Sequence, residues 1–420
     1  MELFSEHSTG IAGEISAPPS KSITHRAVLF ALLSGGRMTV RNPLLSDDTR
    51  STIGAARLMG SNITEDGGIL MEGRMHQAED VIDAGNSGTT ARLLSSICAL
   101  MDGCAVITGD RSLKRRPMEP AIDTVVQLGG RAFSTLNNGR LPAVFGGVMD
   151  GESATLEGDI SSQFASSFAM SCPLKQSPTE IRLVRGIQSK AYLELTLQMV
   201  RYFGGRADLD SGILFFDGGC EYRARDITVP GDYSSASFLF AAAAVTGGNV
   251  TVRSLSDDFI QADATMLDIL KDFNCSVSRN GDAVTVGCNE LLPADVDCTE
   301  SPDLFPTVCA IASSAKGRSR ISGPHNLRLK ETDRVETTLS MLLNAGVDAS
   351  AQSETITVNG GSVRGGVVDS FGDHRIAMAA CVLGLSSRSG IVVKDAECYT
   401  VSYPSFVSDV VQLGGRVSVR

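Results

Sequence analysis

No stretch of this sequence is apolar for long enough to cross a bilayer: the longest, Ala236 to Val245, is about half of the roughly 20 residues a spanning helix needs. The start, Met1-Glu2-Leu3-Phe4-Ser5-Glu6-His7, has no basic segment followed by an apolar core, so no secretion signal is expected. The 10 cysteines stand singly and never as C-x-x-C, and Cys98, Cys309 and Cys381 fall inside apolar helical patterns. Buried free thiols in a reducing, cytoplasmic setting are expected, not a zinc site or a disulfide framework. Histidine is scarce, and His25 and His374 have no cluster of ligand-type neighbours in sequence, so nothing argues for a metal. Positive charge is the minority sign, 37 Lys+Arg against 48 Asp+Glu for a net charge of −11. That disfavours general binding to nucleic acid or an anionic membrane and still permits a local basic cleft. What is present, 42% apolar and 20% charged residues over 420, is ordinary for a globular protein of two or three domains.

A repeat supplies the first positive signal. An apolar helical pattern, a small-residue stop and a short alternating run recur six times, with stops at Met59-Gly60-Ser61, Leu128-Gly129-Gly130, Phe203-Gly204-Gly205, Phe273-Asn274-Cys275, Ala345-Gly346-Val347 and Leu413-Gly414-Gly415. Their successive spacings are 69, 75, 70, 72 and 68 residues. Glycine or asparagine just past a helix tolerates the left-handed conformation that closes its last turn. A unit of this length exceeds the common helical repeats and suits a subdomain of several strands and two helices. Six of them could form two halves of three, with Pro230-Gly231-Asp232 as a plausible crossing point.

The second signal is what precedes the helices. Pro18 to Arg26 opens an apolar helix with prolines, serines, Lys21 and Arg26, and Asp83 to Arg92 is a glycine-rich turn leading into another. It is not a P-loop, because G-x-x-x-x-G-K-[ST] is absent. Ser161-Ser162-Gln163, Ser189-Lys190-Ala191-Tyr192, Lys330 to Arg334 and Asp373-His374-Arg375 give further polar or charged helix starts. Taken one at a time, such residues are caps or solvated first turns. Together they set cations beside helix N-termini in an acidic chain, where the dipole also favours anions. Several phosphates or carboxylates held between two halves would explain the pattern.

These segments resemble the 5-enolpyruvylshikimate-3-phosphate synthases, the 3-phosphoshikimate 1-carboxyvinyltransferases of the enolpyruvyl transferase family. The likeness covers almost the whole chain in order: P-S-K-S-x-T-H-R at Pro19–Arg26, G-N-S-G-T-T-x-R at Gly85–Arg92, K-R-R-P at Lys114–Pro117, S-S-Q-F at Ser161–Phe164, K-E-T-D-R at Lys330–Arg334, D-H-R-x-A-M at Asp373–Met378 and S-Y-P at Ser402–Pro404. The resemblance implies an α/β fold of two similar globular domains, each of three βαβαββ repeats in an inside-out α/β barrel. Residues 1–18 with 232–420 would form domain I and 19–231 domain II, with the active site in the interdomain cleft.

It also implies transfer of the enolpyruvyl group of phosphoenolpyruvate to the 5-hydroxyl of shikimate 3-phosphate, without cofactor or metal, by a cytoplasmic monomer with no nucleic-acid or membrane partner. Lys21, Ser22, Arg26, Ser161, Ser162, Gln163, Ser189, Tyr192, Asp303, Asn326 and Lys330 would surround shikimate 3-phosphate. Lys21, Asn86, Gly88, Arg116, Gln163, Arg334, His374 and Arg375 would hold phosphoenolpyruvate. Asp303 would accept the hydroxyl proton, Glu331 would handle protons at the methylene carbon, and Lys21 would complete the catalytic set. The chemistry suits these residue types, since it needs an acid, a base and several cations but no nucleophilic side chain. One position departs from some relatives, which carry Lys where this chain has Val401. Two other readings are a related transferase acting on UDP-N-acetylglucosamine and a non-catalytic anion-binding repeat protein. The first typically uses a loop Cys, absent from Asp110–Met118; the second has no use for Asp303 and Glu331 together.

Overall fold

The computed structural model describes residues 1–420. Its strands form six four-stranded sheets, all with one connectivity. The second repeat shows it plainly. Ile82–Asp83 lies parallel to Cys104–Thr108, which pairs antiparallel with Ala143–Gly146, which pairs antiparallel with Arg131–Ser134. Helix Gly88–Cys98 links the parallel strands, and helix Glu119–Gln127 leads into the hairpin. The order is βαβαββ, and the same pattern of one parallel and two antiparallel pairs recurs in the other five sheets.

Three repeats are completed by strands distant in sequence. Ile227–Thr228 lies parallel to Met38–Arg41, Ala12–Ser16 lies parallel to Asn249–Arg253, and Leu3–Glu6 is inserted between Ile391–Lys394 and Arg416–Val419. The chain accordingly divides into two compact units of three sheets, Met1–Ser20 with Pro230–Arg420 and Lys21–Val229. Pro19, Ser20, Pro230 and Gly231, placed with the second unit by the sequence reading, belong to the first. Pro19 bridges Gly231, and the Ser20 amide donates to the Pro230 carbonyl at 2.8 Å.

All six expected stops end a helix. The helices Asp47–Leu58, Glu119–Gln127, Lys190–Tyr202, Met266–Asp272, Arg334–Asn344 and Phe406–Gln412 are each followed by a residue with φ between 70° and 104°, glycine in five cases and Asn274 in the sixth. The helices differ in kind. Lys190–Tyr202 buries one face, through Leu193, Leu197 and Val200 among others. Tyr233–Thr246 is buried on nearly every side, as are Phe305–Ser314 and His374–Leu385, and these three pack on one another. Fully burying a side chain such as Phe238, Leu239 or Phe240 contributes roughly 1.5–3 kcal/mol. Helices therefore form the core and sheets the outside, the reverse of a common α/β barrel. Cys309 and Cys381, in two of these helices, and Cys98, at the end of helix Gly88–Cys98, are buried free thiols, as their patterns suggest.

Candidate active site

In the unit Lys21–Val229 the expected residues gather at helix starts. Lys21, the first residue of helix Lys21–Ser34, forms an ion pair with Asp48 at 3.0 Å. One and a half turns on, Arg26 is 1% exposed. Its Nε donates to Thr196 Oγ1 at 2.7 Å, Nη1 to the Ser22 carbonyl at 3.0 Å, and Nη2 to the Tyr192 carbonyl at 3.1 Å and Ser166 Oγ at 3.3 Å. These acceptors are hydroxyls and carbonyls, so a buried cation is held by neutral dipoles, and burial lowers its pKa to about 10. Such a charge favours an anion nearby. His25 bonds Thr52 Oγ1 at 2.7 Å, and burial, reinforced by Lys21 and Arg26, holds its pKa well below the usual imidazole range. From Thr52 the chain of hydrogen bonds runs through Thr90 to Ser87, the cap of the next inner helix.

That helix begins at Gly88, where a Cβ would stand 3.0 Å from Arg116 Nη1 and 3.8 Å from Arg92 Nη1. The missing side chain lets two guanidinium groups approach one helix start. Arg116 donates to Asn86 Oδ1 at 2.9 Å, and Asn86 donates in turn to Asp110 at 2.6 Å. Arg92 donates to Gln163 Oε1 at 3.0 Å, and Gln163 Nε2 donates to Thr89 Oγ1 at 2.9 Å. Ser161 caps helix Ser162–Ser171 by accepting the Gln163 amide. Ser162 is buried in the first turn of that helix. Ser189 precedes helix Lys190–Tyr202 in a left-handed conformation, φ 54°, a strain uncommon outside glycine that marks a constrained position.

In the other unit the expected residues converge on Arg334. Its side chain is 1% exposed and meets three carboxylates: Nη1 donates to Asp303 at 2.6 Å, Nη2 to Glu331 at 2.6 Å, and Nε to Asp373 at 2.9 Å. Burial alone would lower its pKa; Asp373, Glu331 and Asp303 together outweigh that and hold it well above the ordinary value. Lys330 at 3.4 Å and Arg375 at 3.3 Å also reach Asp303. Asp373 caps helix His374–Leu385 through the Arg375 amide while accepting from Arg334 and Thr332, which fixes both of its oxygens. His374 is buried at this helix start. Asn326, in the turn His325–Leu329, is buried with its Oδ1 lacking a hydrogen-bond partner. Deeper still, burial and then the charge of Asp303 raise the pKa of Asp263 to about 6, with Arg375 and a hydrogen bond from Ser234 opposing.

The structure thus brings Lys21, Ser22, Arg26, Tyr192, Asn86, Gly88, Arg116, Ser161 and Gln163 into linked networks in one unit. It brings Asp303, Lys330, Glu331, Arg334 and Arg375 together in the other. Arg334 holds Asp303 on Nη1 and Glu331 on Nη2. Arg92, Asp48, Asp373 and Asp263 were not among the expected site residues. Arg92 had a signal, since it lies four residues after Gly88 on one helix face and closes the glycine-rich motif.

The chain resembles known proteins along nearly its whole length. The family model of EPSP synthase (3-phosphoshikimate 1-carboxyvinyltransferase) matches residues 6–410. The chain is 39% identical over 423 residues to the 3-phosphoshikimate 1-carboxyvinyltransferase of Methanothermobacter thermautotrophicus, covering 100% of both. To that of Methanocorpusculum labreanum it is 41% identical over 411 residues, 96% of both. Among solved structures, EPSP synthase from Acinetobacter baumannii superposes with a TM-score of 0.84 at 25% identity, with 100% of each chain covered. No helix is long and apolar enough to cross a membrane. Matched over residues 6–410 by the family model and over nearly its whole length by relatives at 39% and 41% identity, this chain belongs to the EPSP synthase family, enzymes acting on small molecules.

Proposed function

We propose that this protein transfers the enolpyruvyl group of phosphoenolpyruvate to the 5-hydroxyl of shikimate 3-phosphate and releases phosphate. The observation that carries this reading is the pair of carboxylates on Arg334, Asp303 on Nη1 and Glu331 on Nη2, each at 2.6 Å. In the proposed mechanism Asp303 takes the proton of the 5-hydroxyl as its oxygen attacks C2 of phosphoenolpyruvate. Glu331 delivers a proton to the methylene carbon, turning it into a methyl group. The tetrahedral adduct then collapses: the C2–O bond to phosphate breaks, one methyl proton leaves, and the new enol ether remains. Each role needs a carboxylate in a defined protonation state, and shared hydrogen bonds to one buried cation fix both in place.

The substrate contacts proposed are those implied by the resemblance. Arg26, held by neutral acceptors only, supports an anionic partner at its helix start, the phosphate of shikimate 3-phosphate. With it would stand Lys21, Ser22, Ser161, Ser162, Gln163, Ser189 and Tyr192, and from the other unit Asn326 and Lys330. Phosphoenolpyruvate would meet Lys21, Asn86, Gly88, Arg116, Gln163, Arg334, His374 and Arg375, with Arg92 added by its bond to Gln163. These residues come from both units. A monomer in a cytoplasmic setting is proposed with it, and 10 cysteines set singly through the chain suit reducing conditions. The test is phosphate release from phosphoenolpyruvate with shikimate 3-phosphate or UDP-N-acetylglucosamine as acceptor. Release with the first alone supports the reading; release with the second alone, or with neither, overturns it.

A further inference from the structure

Outside this site, two cysteines face one another across a hairpin. Strands Ser276–Asn280 and Ala283–Gly287 pair antiparallel, with Ser276 opposite Gly287 and Val277 opposite Val286. One step further along the same register sets Cys275 opposite Cys288. Both share the inward face with Val277 and Val286, because residues two apart on a strand point the same way. Both are buried, 6% and 4% exposed, in the core of their unit.

The backbone decides which kind of pair this is. The Cys275 amide donates to Leu270 at 2.9 Å and the Cys288 amide to Gly248 at 3.1 Å, so neither is exchanged with the other. A facing pair that exchanges no amide bonds is the close kind, with Cα atoms roughly 4.5 Å apart. That lies within the range of about 4.4–6.8 Å found in disulfides.

We infer that Cys275 and Cys288 form an oxidative modification site, a thiol pair that a hydroperoxide converts into a cross-strand disulfide without rearrangement of the backbone. The interaction between the two thiols lowers the pKa of Cys288 against the effect of burial, while that interaction and burial raise that of Cys275. Cys288 is therefore the nucleophile. Its thiolate attacks one peroxide oxygen, breaking the O–O bond to give a sulfenic acid and hydroxide. The Cys275 thiol then displaces the sulfenic oxygen, which leaves as water, and the S–S bond forms. Two thiols are oxidised and one peroxide is reduced to two waters. The bond ties Ser276–Asn280, at the edge of its sheet, to its neighbour and closes a short loop, so oxidation stabilises the unit.

The experiment exposes the native full-length protein to hydrogen peroxide, blocks remaining thiols with iodoacetamide and digests with trypsin. Arg279 is the one cleavage point between the two cysteines, so a disulfide appears as two peptides joined across it. The expected result is that linked pair, with a Tm about 5 °C above the reduced protein. Cys275→Ser or Cys288→Ser should abolish both changes, whereas Cys398→Ser should not. Should either serine variant fail to fold, the wild-type peptide map and melting curve decide alone. Recovery of both cysteines alkylated, linkage of a different pair, or a linked protein that melts no higher would each overturn the inference.

Discussion

Replacing Arg334 by Gln removes the cation from a cluster in which Asp303, Glu331 and Asp373 lie 2.6, 2.6 and 2.9 Å from it. Lys330 and Arg375 still reach Asp303, but Asp373, which is fully buried, loses its ion pair. Breaking a buried pair by removing one partner costs about 3–5 kcal/mol, because the remaining charge is left in a poorly solvated place. In a unit of roughly 200 residues this corresponds to a fall in Tm of ~10 °C. The sign with pH follows. In the folded variant a proton relieves the crowded carboxylates, whereas unfolded carboxylates stay ionised above about pH 4. The folded variant then binds more protons than the unfolded chain, so its stability falls as pH rises and its deficit against wild type is larger at pH 7 than at pH 5. Calorimetric melting at both pH values measures this. Arg328→Gln serves as the comparison: Arg328 also meets carboxylates, Asp333 and Glu354, but all three side chains are over a quarter exposed, so its loss should cost no more than ~1 kcal/mol. Equal effects of the two substitutions, or a deficit for Arg334→Gln that grows toward pH 5, would refute the reasoning.

Asp303→Asn should leave shikimate 3-phosphate binding close to wild type while turnover falls by ~10²–10⁴, the usual contribution of a positioned base; unchanged turnover in a steady-state assay removes Asp303 from the mechanism. Gly88 lies in a helix without a positive φ, so Gly88→Ala should fold with unchanged Tm and raise the KM for phosphoenolpyruvate several-fold by displacing Arg116, whose Nη1 stands 3.0 Å from the new methyl position. A lowered Tm with unchanged KM would contradict that steric account. His25 stays neutral in the fold because burial, then Lys21 and Arg26, depress its pKa. Its stability contribution is complete above about pH 6.5 and falls by ~1.4 kcal/mol per pH unit below it, until the folded pKa is reached. His25→Gln should therefore lose less stability than wild type between pH 7 and pH 5 in urea titrations, and parallel losses would show that His25 protonates freely.

Much of the fold was legible because its signals are local. A helix stop needs glycine or asparagine at one place, and each of the six stops can be read from three adjacent residues. The inner helices announce themselves by being apolar on every side, as Ala236 to Val245 does. The site was legible only as far as motifs reach. Lys21, Arg26 and Arg334 read alike as cations beside helix starts, yet they do different things in the structure. Lys21 faces Asp48, 27 residues away, and Arg334 faces Asp373, 39 residues away, separations with no local periodicity behind them. Arg26 meets neutral acceptors from a helix 170 residues further on. Whether a cation is neutralised at home or left for a ligand depends on such distant partners. The same holds for Asp263, whose surroundings of Ser234, Asp303 and Arg375 come from three separate elements.

The central claim is that Asp303 and Glu331, set side by side by Arg334, carry out an addition in which the methylene carbon of phosphoenolpyruvate gains a proton before phosphate leaves. Running the reaction with shikimate 3-phosphate in deuterium oxide and recording the vinyl protons of the product by NMR tests it directly. Deuterium is expected in the product methylene, because the transient methyl group carries one solvent-derived hydrogen among three, and Glu331→Gln should slow product formation with shikimate 3-phosphate still bound. A product formed at full rate with no deuterium in its methylene group would contradict it.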